Sequence, residues 1–130
     1  MATKIDQKEL IKYIISILGR AQLPVNNEKE LQVEIAKIFD SNPILYRKEY
    51  WLDANHVIDF FIPSKENKLY GIGMEVKIKG NARQIYKQCQ KYCLFTAVES
   101  FILVTNRAIG FPAQINNKPC YVLNLGKAWL

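Results

Sequence analysis

The spacing of apolar residues changes along the chain from a helical to an extended pattern. Apolar side chains recur every three to four positions in residues 6–18 and again between Asn27 and Phe39, which predicts two N-terminal helices. Asn27, followed three positions later by Glu30, is typical of a helix N-cap and capping box. Three strands, a helix and two more strands are predicted after them, at residues 44–52, 57–62, 69–79, 82–95, 101–106 and 120–125. This order predicts an α/β fold with a central mixed β-sheet of about four to five strands flanked by helices.

Two neighbouring predicted strands carry acidic residues among apolar ones. In the segment GIGMEVKIKG, residues 71–80, Glu75 and Lys77 are two positions apart and therefore point to the same face of a strand. On the preceding strand Asp59 lies between large apolar residues, where an acid is costly to bury unless it is paired, hydrogen-bonded or bound to a metal. Two acids and a lysine on adjacent strands suit metal-assisted hydrolysis of a phosphodiester, with the carbonyl of Val76 as a further ligand. The alternative for Glu75 and Lys77 is an ordinary ion pair on an exposed strand.

Helical phase selects further candidates on the second and third helices. At about 100° per residue, Glu28 falls inside the arc of apolar residues that would face the core, whereas Glu34 falls outside it. Glu28 would either join the metal site or interact only with the helix dipole. On the third helix Gln88 shares the apolar face with Tyr92. A separate basic stripe on this helix suits either phosphate contact or a solvated surface. The same two alternatives apply to Lys79, which precedes the helix. The stripe consists of Arg83, Lys87 and Lys91.

Length, composition and charge limit the class of protein. The 130 residues predict a single domain over residues 1–130 with its own core. A formal net charge of +6 favours a polyanionic partner. No stretch predicts a signal peptide or a membrane span, so a cytoplasmic protein with no membrane partner is expected. Three cysteines lie in apolar segments and are expected to be reduced core residues, namely Cys89, Cys93 and Cys120.

In their order along the chain, these residues resemble the PD-(D/E)XK, or restriction-endonuclease-like, nuclease superfamily. Its pattern is a helical Glu, an Asp on a strand and a Glu-x-Lys on the next strand, and the matching residues are Glu28, Asp59, Glu75 and Lys77. Gln88 and Tyr92 match the Q-x-x-x-Y signature of the RecB-like and Cas4-like branches. The segments ExxLQ (28–32), VIDF (57–60), EVKIKG (75–80) and ILVTNR (102–107) are similar to small prophage and bacterial nuclease domains of this superfamily.

The resemblance implies a restriction-endonuclease-like core and a Mg²⁺- or Mn²⁺-dependent deoxyribonuclease that acts on DNA in phage or bacterial DNA processing or defence. The catalytic residues are then expected to be Glu28, Asp59, Glu75, Lys77 and Gln88. The expected metal ligands are Asp59, Glu75, Val76 and Glu28. The residues expected to contact nucleic acid are Lys79, Arg83, Lys87, Lys91 and Tyr92.

Two other functions fit the same residues. One is a non-catalytic nucleic-acid-binding module on the same fold. The other is a Holliday-junction resolvase, in which a homodimer would apply the same chemistry to branched DNA. Cleavage from the ends of DNA and cleavage within a strand are equally compatible with these motifs.

Overall fold

Three helices and six strands follow one another in the computed structural model, which describes residues 2–125, with side chains from residue 7 onward. The helices are α1 (Ala2–Arg20), α2 (Glu28–Ser41) and α3 (Ala82–Tyr92). The strands are β1 (Arg47–Asp53), β2 (His56–Pro63), β3 (Gly71–Lys77), β4 (Val98–Thr105), β5 (Gln114–Ile115) and β6 (Lys118–Asn124). The predicted α/β class is confirmed, although the sheet has six strands rather than four to five. No helix within the described range is both long and apolar enough to cross a membrane.

The six strands form one mixed sheet in the order β1-β2-β3-β4-β6-β5. β1, β2 and β3 are antiparallel neighbours, β3, β4 and β6 are parallel, and β5 pairs antiparallel with β6. α3 forms the crossover that a parallel connection from β3 to β4 requires. Because β2 and β3 run in opposite directions, the carboxyl end of β3 lies at the same edge of the sheet as the turn between β1 and β2.

Both faces of the sheet are covered by helices. α1 and α2 pack on one face, where residues such as Phe39 and Met74 form an apolar cluster. α3 packs on the other face, where Ile85 and Phe61 belong to a second apolar cluster. Alternate residues of β3 enter the first cluster, so Glu75 lies on the face that α3 covers. A strand that is buried on both faces therefore carries an acid into the interior.

Several element boundaries differ from the prediction. α1 spans Ala2–Arg20 rather than residues 6–18, and β4 begins at Val98 rather than at residue 101. α3 ends at Tyr92 rather than at residue 95. The N–H groups of Leu94 and Phe95 bond to carbonyl groups three residues earlier, which tightens the chain and ends the regular helix.

The two-residue strand β5 was not predicted. It forms a hairpin with β6 through Asn116 and Asn117, whose φ angles are 53° and 64°. Positive φ at both central residues is the requirement of the type I′ turn that joins many β-hairpins, and Asn tolerates this conformation better than most residues. The hairpin places β5 at the outer edge of the sheet, beside β6.

The three cysteines are free and buried, as predicted. The Sγ atoms of Cys93 and Cys120 lie 3.8 Å apart, and Cys89 is in the same apolar cluster. Burial raises the pKa of the Cys89 thiol, which disfavours the reactive thiolate. This side chain therefore acts as a small apolar core residue.

Candidate active site

Asp59 and Glu75 lie where the hydrogen-bond ladder between β2 and β3 stops. The regular antiparallel pairing of the two strands ends at Phe60 and Met74. Beyond that pair, carboxylates bond to the opposite backbone. Oδ2 of Asp59 accepts from the N–H of Val76 at 2.8 Å, and Oε1 of Glu75 accepts from the N–H of Asp59 at 3.0 Å. Each acid is therefore held by the backbone of the other strand.

The second carboxylate oxygen of Glu75 is close to two polar side chains. Nζ of Lys77 lies 3.7 Å from Oε2, as expected for residues on the same face of a strand. The hydroxyl of Tyr92 lies 3.2 Å from Oε2 and 2.9 Å from the carbonyl oxygen of Val57. The side chain of Glu75 is 3% exposed and that of Lys77 is 26% exposed. The acid is thus enclosed, while the ammonium group reaches solvent.

The side chain of Tyr92, which is predicted to contact nucleic acid, is largely buried. It is only 4% exposed, and its hydroxyl accepts a hydrogen bond from Nε2 of Gln88 at 3.2 Å. The physical reason is that Tyr92 lies on the face of α3 that packs against the sheet, one turn after Gln88. The Q-x-x-x-Y pair therefore forms a chain of hydrogen bonds that ends at Glu75, inside the protein.

The two acids perturb each other's ionisation. Burial, followed by the charge of Asp59, raises the pKa of Glu75 to about 8. Burial also raises the pKa of Asp59, against the hydrogen bond from Val76 and the charge of Lys77. The pair therefore retains a proton near neutral pH when no cation is bound. A protonated Glu75 can donate a hydrogen bond to the hydroxyl of Tyr92.

α2 brings a third carboxylate to the end of β3. The side-chain oxygen of Asn27 accepts from the N–H of Lys29 at 2.8 Å, which confirms the predicted N-cap and starts the helix at Glu28. Oε1 of Glu28 accepts from the N–H of Ile78 at 2.9 Å, so the predicted orientation of Glu28 toward the sheet is also confirmed. After burial, the charge of Glu28 is a further cause of the raised pKa of Asp59.

Two clefts lie beside the residues that contact Glu75, although Asp59 and Glu75 line neither, and we call them the helix cleft and the hairpin cleft. The helix cleft, of about 640 Å³, is lined by Asn26, Asn27, Glu28, Lys29, Lys77, Lys79, Gly80, Gln84, Ile85 and Gln88. The hairpin cleft, of about 630 Å³, is lined by Asn55, His56, Val57, Gln84, Lys87, Gln88, Lys91 and Tyr92. Lys79, Lys87 and Lys91, predicted to contact nucleic acid, thus line a cleft. Arg83 is exposed on α3 and lines neither cleft.

The site offers oxygen donors without a preformed metal-binding group. Among residues 7–125, no three His, Cys, Asp or Glu side chains come together in a way that could hold a metal ion. Asp59 and Glu75 are two adjacent carboxylates, and Glu28 is engaged by a backbone N–H. The N–H of Val76 points to Asp59, and in a strand the C=O of the same residue points to the same side. The oxygen atoms available to a metal ion here are therefore those of the Asp59 and Glu75 carboxylates and of the Val76 carbonyl.

Some contributors to the site were not identified from the sequence. Val57 bonds to Tyr92 through its backbone carbonyl, a group that leaves no side-chain signature. Gln84 lines both clefts and precedes Gln88 by one helical turn, so the spacing could have indicated it. Lys29 lines the helix cleft, but an exposed lysine in the first turn of a helix has no distinctive pattern.

The chain matches no protein-family model, no curated protein and no solved structure. The likeness to the PD-(D/E)XK superfamily therefore depends on the motif residues alone. Those residues come from α2, β2, β3 and α3, which are separate in the sequence and adjacent in the fold.

Proposed function

We propose that this protein is a metal-dependent deoxyribonuclease that hydrolyses phosphodiester bonds with an activated water molecule. The observation that carries the proposal is the buried Glu75 next to the partly buried Asp59, with Lys77 beside them and lysine-lined clefts nearby. Burying two adjacent acids is unfavourable for folding, since each loses hydration and repels the other. Such an arrangement is typical of sites where the charge serves a reaction.

The residues at the acid pair fit a hard divalent cation. The pKa values of the acid pair respond to the charges of nearby groups. These groups are the carboxylates of Glu28, Asp59 and Glu75 and the ammonium group of Lys77. Mg²⁺ and Mn²⁺ prefer oxygen ligands, which the carboxylates and the carbonyl of Val76 provide. When bound, the ion would neutralise phosphate charge and make a water molecule more acidic. Asp59 and Glu75 would hold it, with Glu28 completing the ligand set directly or through water.

Lys77 is suited to stabilise the negative charge that develops during hydrolysis. A water oxygen attacks phosphorus, the bond from phosphorus to the leaving oxygen breaks, the water releases its proton to solvent, and the leaving oxygen takes a proton from solvent. The ammonium group of Lys77 lines the helix cleft and lies 3.7 Å from Oε2 of Glu75. A fixed cation at that place favours the attacking oxygen and the charged phosphate oxygens more as the reaction proceeds.

Gln88 and Tyr92 serve as positioning residues in this proposal. The bond from Gln88 to Tyr92 orients the hydroxyl, and the hydroxyl restricts one oxygen of Glu75. The N–H of Asp59 restricts the other oxygen. A carboxylate fixed at both oxygens loses little conformational freedom when it binds a cation.

The proposal extends to the fold and the substrate. A mixed sheet covered by α1 and α2 on one face and by α3 on the other supports a restriction-endonuclease-like core. A net charge of +6 and lysines along both clefts support a polyanionic substrate. DNA is the substrate that the resemblance implies.

A cleavage assay with Lys77→Ala tests the proposal. Wild type is expected to cut at least one of supercoiled, linear, single-stranded or four-way-junction DNA with Mg²⁺ or Mn²⁺. Lys77→Ala is expected to lose about 10²–10³-fold in rate, the usual cost of removing one group that stabilises the transition state. Its melting temperature should stay close to that of wild type, because the side chain is partly exposed.

Lys79→Ala is the matched control, since Lys79 lines the same cleft two residues further along and is exposed. It should retain the cleavage rate at saturating DNA and lose only affinity. Cleavage by pure Lys77→Ala protein at the wild-type rate would refute the mechanism and would indicate a contaminating nuclease or another site.

A second candidate is a nucleic-acid-binding module without turnover. It is favoured by the engagement of Glu28 with Ile78, which leaves only two carboxylates directly at the acid pair. Calorimetry with Mg²⁺ and Mn²⁺ separates the two functions. Binding that disappears in Asp59→Ala supports the nuclease, whereas DNA binding without metal binding at millimolar concentration supports the module.

A further inference from the structure

The helix cleft and the hairpin cleft adjoin each other along α3. Gln84 and Gln88 line both clefts, so the two share a wall on α3. From there the helix cleft extends toward the first turn of α2, and the hairpin cleft extends toward the turn between β1 and β2. We call the combined feature the α3 groove.

Asp59 and Glu75 line neither cleft, but a residue of each cleft, Lys77 or Tyr92, approaches Oε2 of Glu75. Gln88, which belongs to both clefts, bonds to Tyr92, and Tyr92 contacts Glu75. Lys77, whose Nζ lies 3.7 Å from the same oxygen of Glu75 as the Tyr92 hydroxyl, lines the helix cleft. Val57, which accepts from Tyr92, lines the hairpin cleft. The two clefts therefore meet beside Oε2 of Glu75 and extend from there in two directions.

Positively charged residues line both clefts of the α3 groove. Lys29, Lys77 and Lys79 line the helix cleft, and Lys87 and Lys91 line the hairpin cleft. Among the described residues that line the α3 groove, Glu28 is the single acid. A groove with cations on both sides of a reaction centre offers contacts to phosphates that precede the cleaved bond and to phosphates that follow it.

We propose that one DNA strand lies along the whole α3 groove and that the site cuts within the strand rather than from an end. The inference rests on the proposed nuclease function. An enzyme that removes terminal nucleotides needs a wall that stops the strand close to the reacting phosphate. Here both clefts that meet beside Glu75 are lined by further lysines. Because lysines contact phosphates rather than base edges, cleavage should tolerate many sequences.

The first test compares DNA molecules with and without ends. Closed circular single-stranded DNA and supercoiled plasmid are incubated with the protein and Mg²⁺ or Mn²⁺, beside linear forms of the same sequences. At least one endless form should be cut at a rate similar to that of its linear form. Degradation of linear DNA with both endless forms intact would overturn the inference and leave the nuclease function standing. If no DNA is cut, the nuclease function fails and this inference fails with it.

The second test measures binding on each side separately, in EDTA, so that it does not depend on cleavage. Lys29→Ala removes a cation from the helix cleft and Lys91→Ala removes one from the hairpin cleft. With a labelled single-stranded oligonucleotide, each variant should bind more weakly. Each should also reduce the slope of log affinity against log salt by about 0.7, the value for one phosphate contact on a single strand.

Lys65→Ala is the control for the second test. Lys65 is an exposed residue of the loop between β2 and β3, at the opposite end of the sheet from Lys77, and it should leave the salt slope unchanged. A reduced slope for only one of Lys29→Ala and Lys91→Ala would mean that the strand is held on one side of the acids. That result would overturn the inference.

Discussion

Asp59 acts on Glu75 in two opposite ways. Its backbone N–H donates to Oε1 of Glu75 at 3.0 Å, which favours the ionised carboxylate, while its own partly buried carboxylate repels that charge. Repulsion and burial together outweigh the hydrogen bond, so the pKa of Glu75 is raised. The metal-free protein therefore contains an acid pair that is well fixed in position and poorly compensated in charge.

Asp59→Asn is expected to stabilise the metal-free protein. The amide oxygen can still accept from Val76, and the substitution removes a partly buried carboxylate whose pKa is raised in the folded state. A gain on the order of 1 kcal/mol is expected, which corresponds to about 3–5 °C in melting temperature. The measurement is thermal unfolding at pH 7 in EDTA.

Asp53→Asn is the control, because the pKa of Asp53 is lowered in the folded protein whereas that of Asp59 is raised. The N–H of Asn55, followed by His56, lowers the pKa of Asp53, so its charge is favourable at pH 7. This substitution should give no gain in stability. A clear loss of stability in Asp59→Asn would instead mean that the Asp59 carboxylate has a structural role.

The stability of the metal-free protein should decrease as the pH rises from about 4.5 to about 8. Over this range the unfolded chain has released the proton of Glu75, whose ordinary pKa is 4.5, and the folded protein keeps it up to about 8. The folded state then binds more protons than the unfolded state, so a rise in pH favours unfolding, and the effect levels off above pH 8. Below about pH 4.5 both states are protonated and the effect is absent.

Glu75→Gln isolates this effect, because glutamine does not titrate and its oxygen can still accept from Asp59. Urea unfolding in EDTA at pH 5 and pH 8 should show a smaller loss of stability for the variant than for wild type. Equal losses in the two proteins would show that Glu75 ionises normally in the folded state.

Tyr92→Phe is expected to reduce stability and cleavage while leaving DNA affinity unchanged. The hydroxyl is within hydrogen-bond distance of Val57, Gln88 and Glu75, and its removal leaves buried polar groups without a partner. The expected loss is about 1–3 kcal/mol in unfolding free energy. Tyr86→Phe, on the same helix, is the control, because the ring of Tyr86 packs edge-on against Phe111. A specific loss of DNA affinity would support the original expectation that Tyr92 contacts nucleic acid.

Gly71→Ala is expected to disrupt the pairing that aligns the two acids. A Cβ atom at this position would lie 2.2 Å from the carbonyl oxygen of Ile62 and 2.9 Å from Cα of Pro63, so β2 and β3 would have to separate. A loss of about 3 kcal/mol is expected from urea unfolding. At Gly110 an added Cβ atom has nothing within 4 Å, and Gly110→Ala should change stability by less than about 0.5 kcal/mol. Similar stability of the two variants would contradict the close approach of the strands.

The positions of the acids could be predicted because periodicity determines which face a side chain takes. The two-residue period of β3 put Glu75 and Lys77 on one face, and the helical period of α2 turned Glu28 toward the sheet. Both conclusions depend only on local geometry.

How deeply a side chain is buried, and which group it bonds to, could not be predicted in the same way. Helical phase assigned Tyr92 to the apolar face of α3, but how deeply it is buried depends on how closely α3 packs on the sheet. Its partner at Val57 is a backbone group. β5 was missed because two residues are too short to show a period, although the adjacent Asn116 and Asn117 are a turn signal.

The end of the ladder between β2 and β3 also gives the site a spectroscopic property. The amide protons of Val76 and Asp59 are bonded to carboxylate oxygens. The resonance frequency of an amide proton depends on the charge of its acceptor, so each of these two signals reports the ionisation of one acid. Protonation, cation binding and the arrival of a phosphate would each displace the pair of signals differently. The backbone at this point is thus an internal probe of the charge in the site, and it needs no added label at the acids themselves.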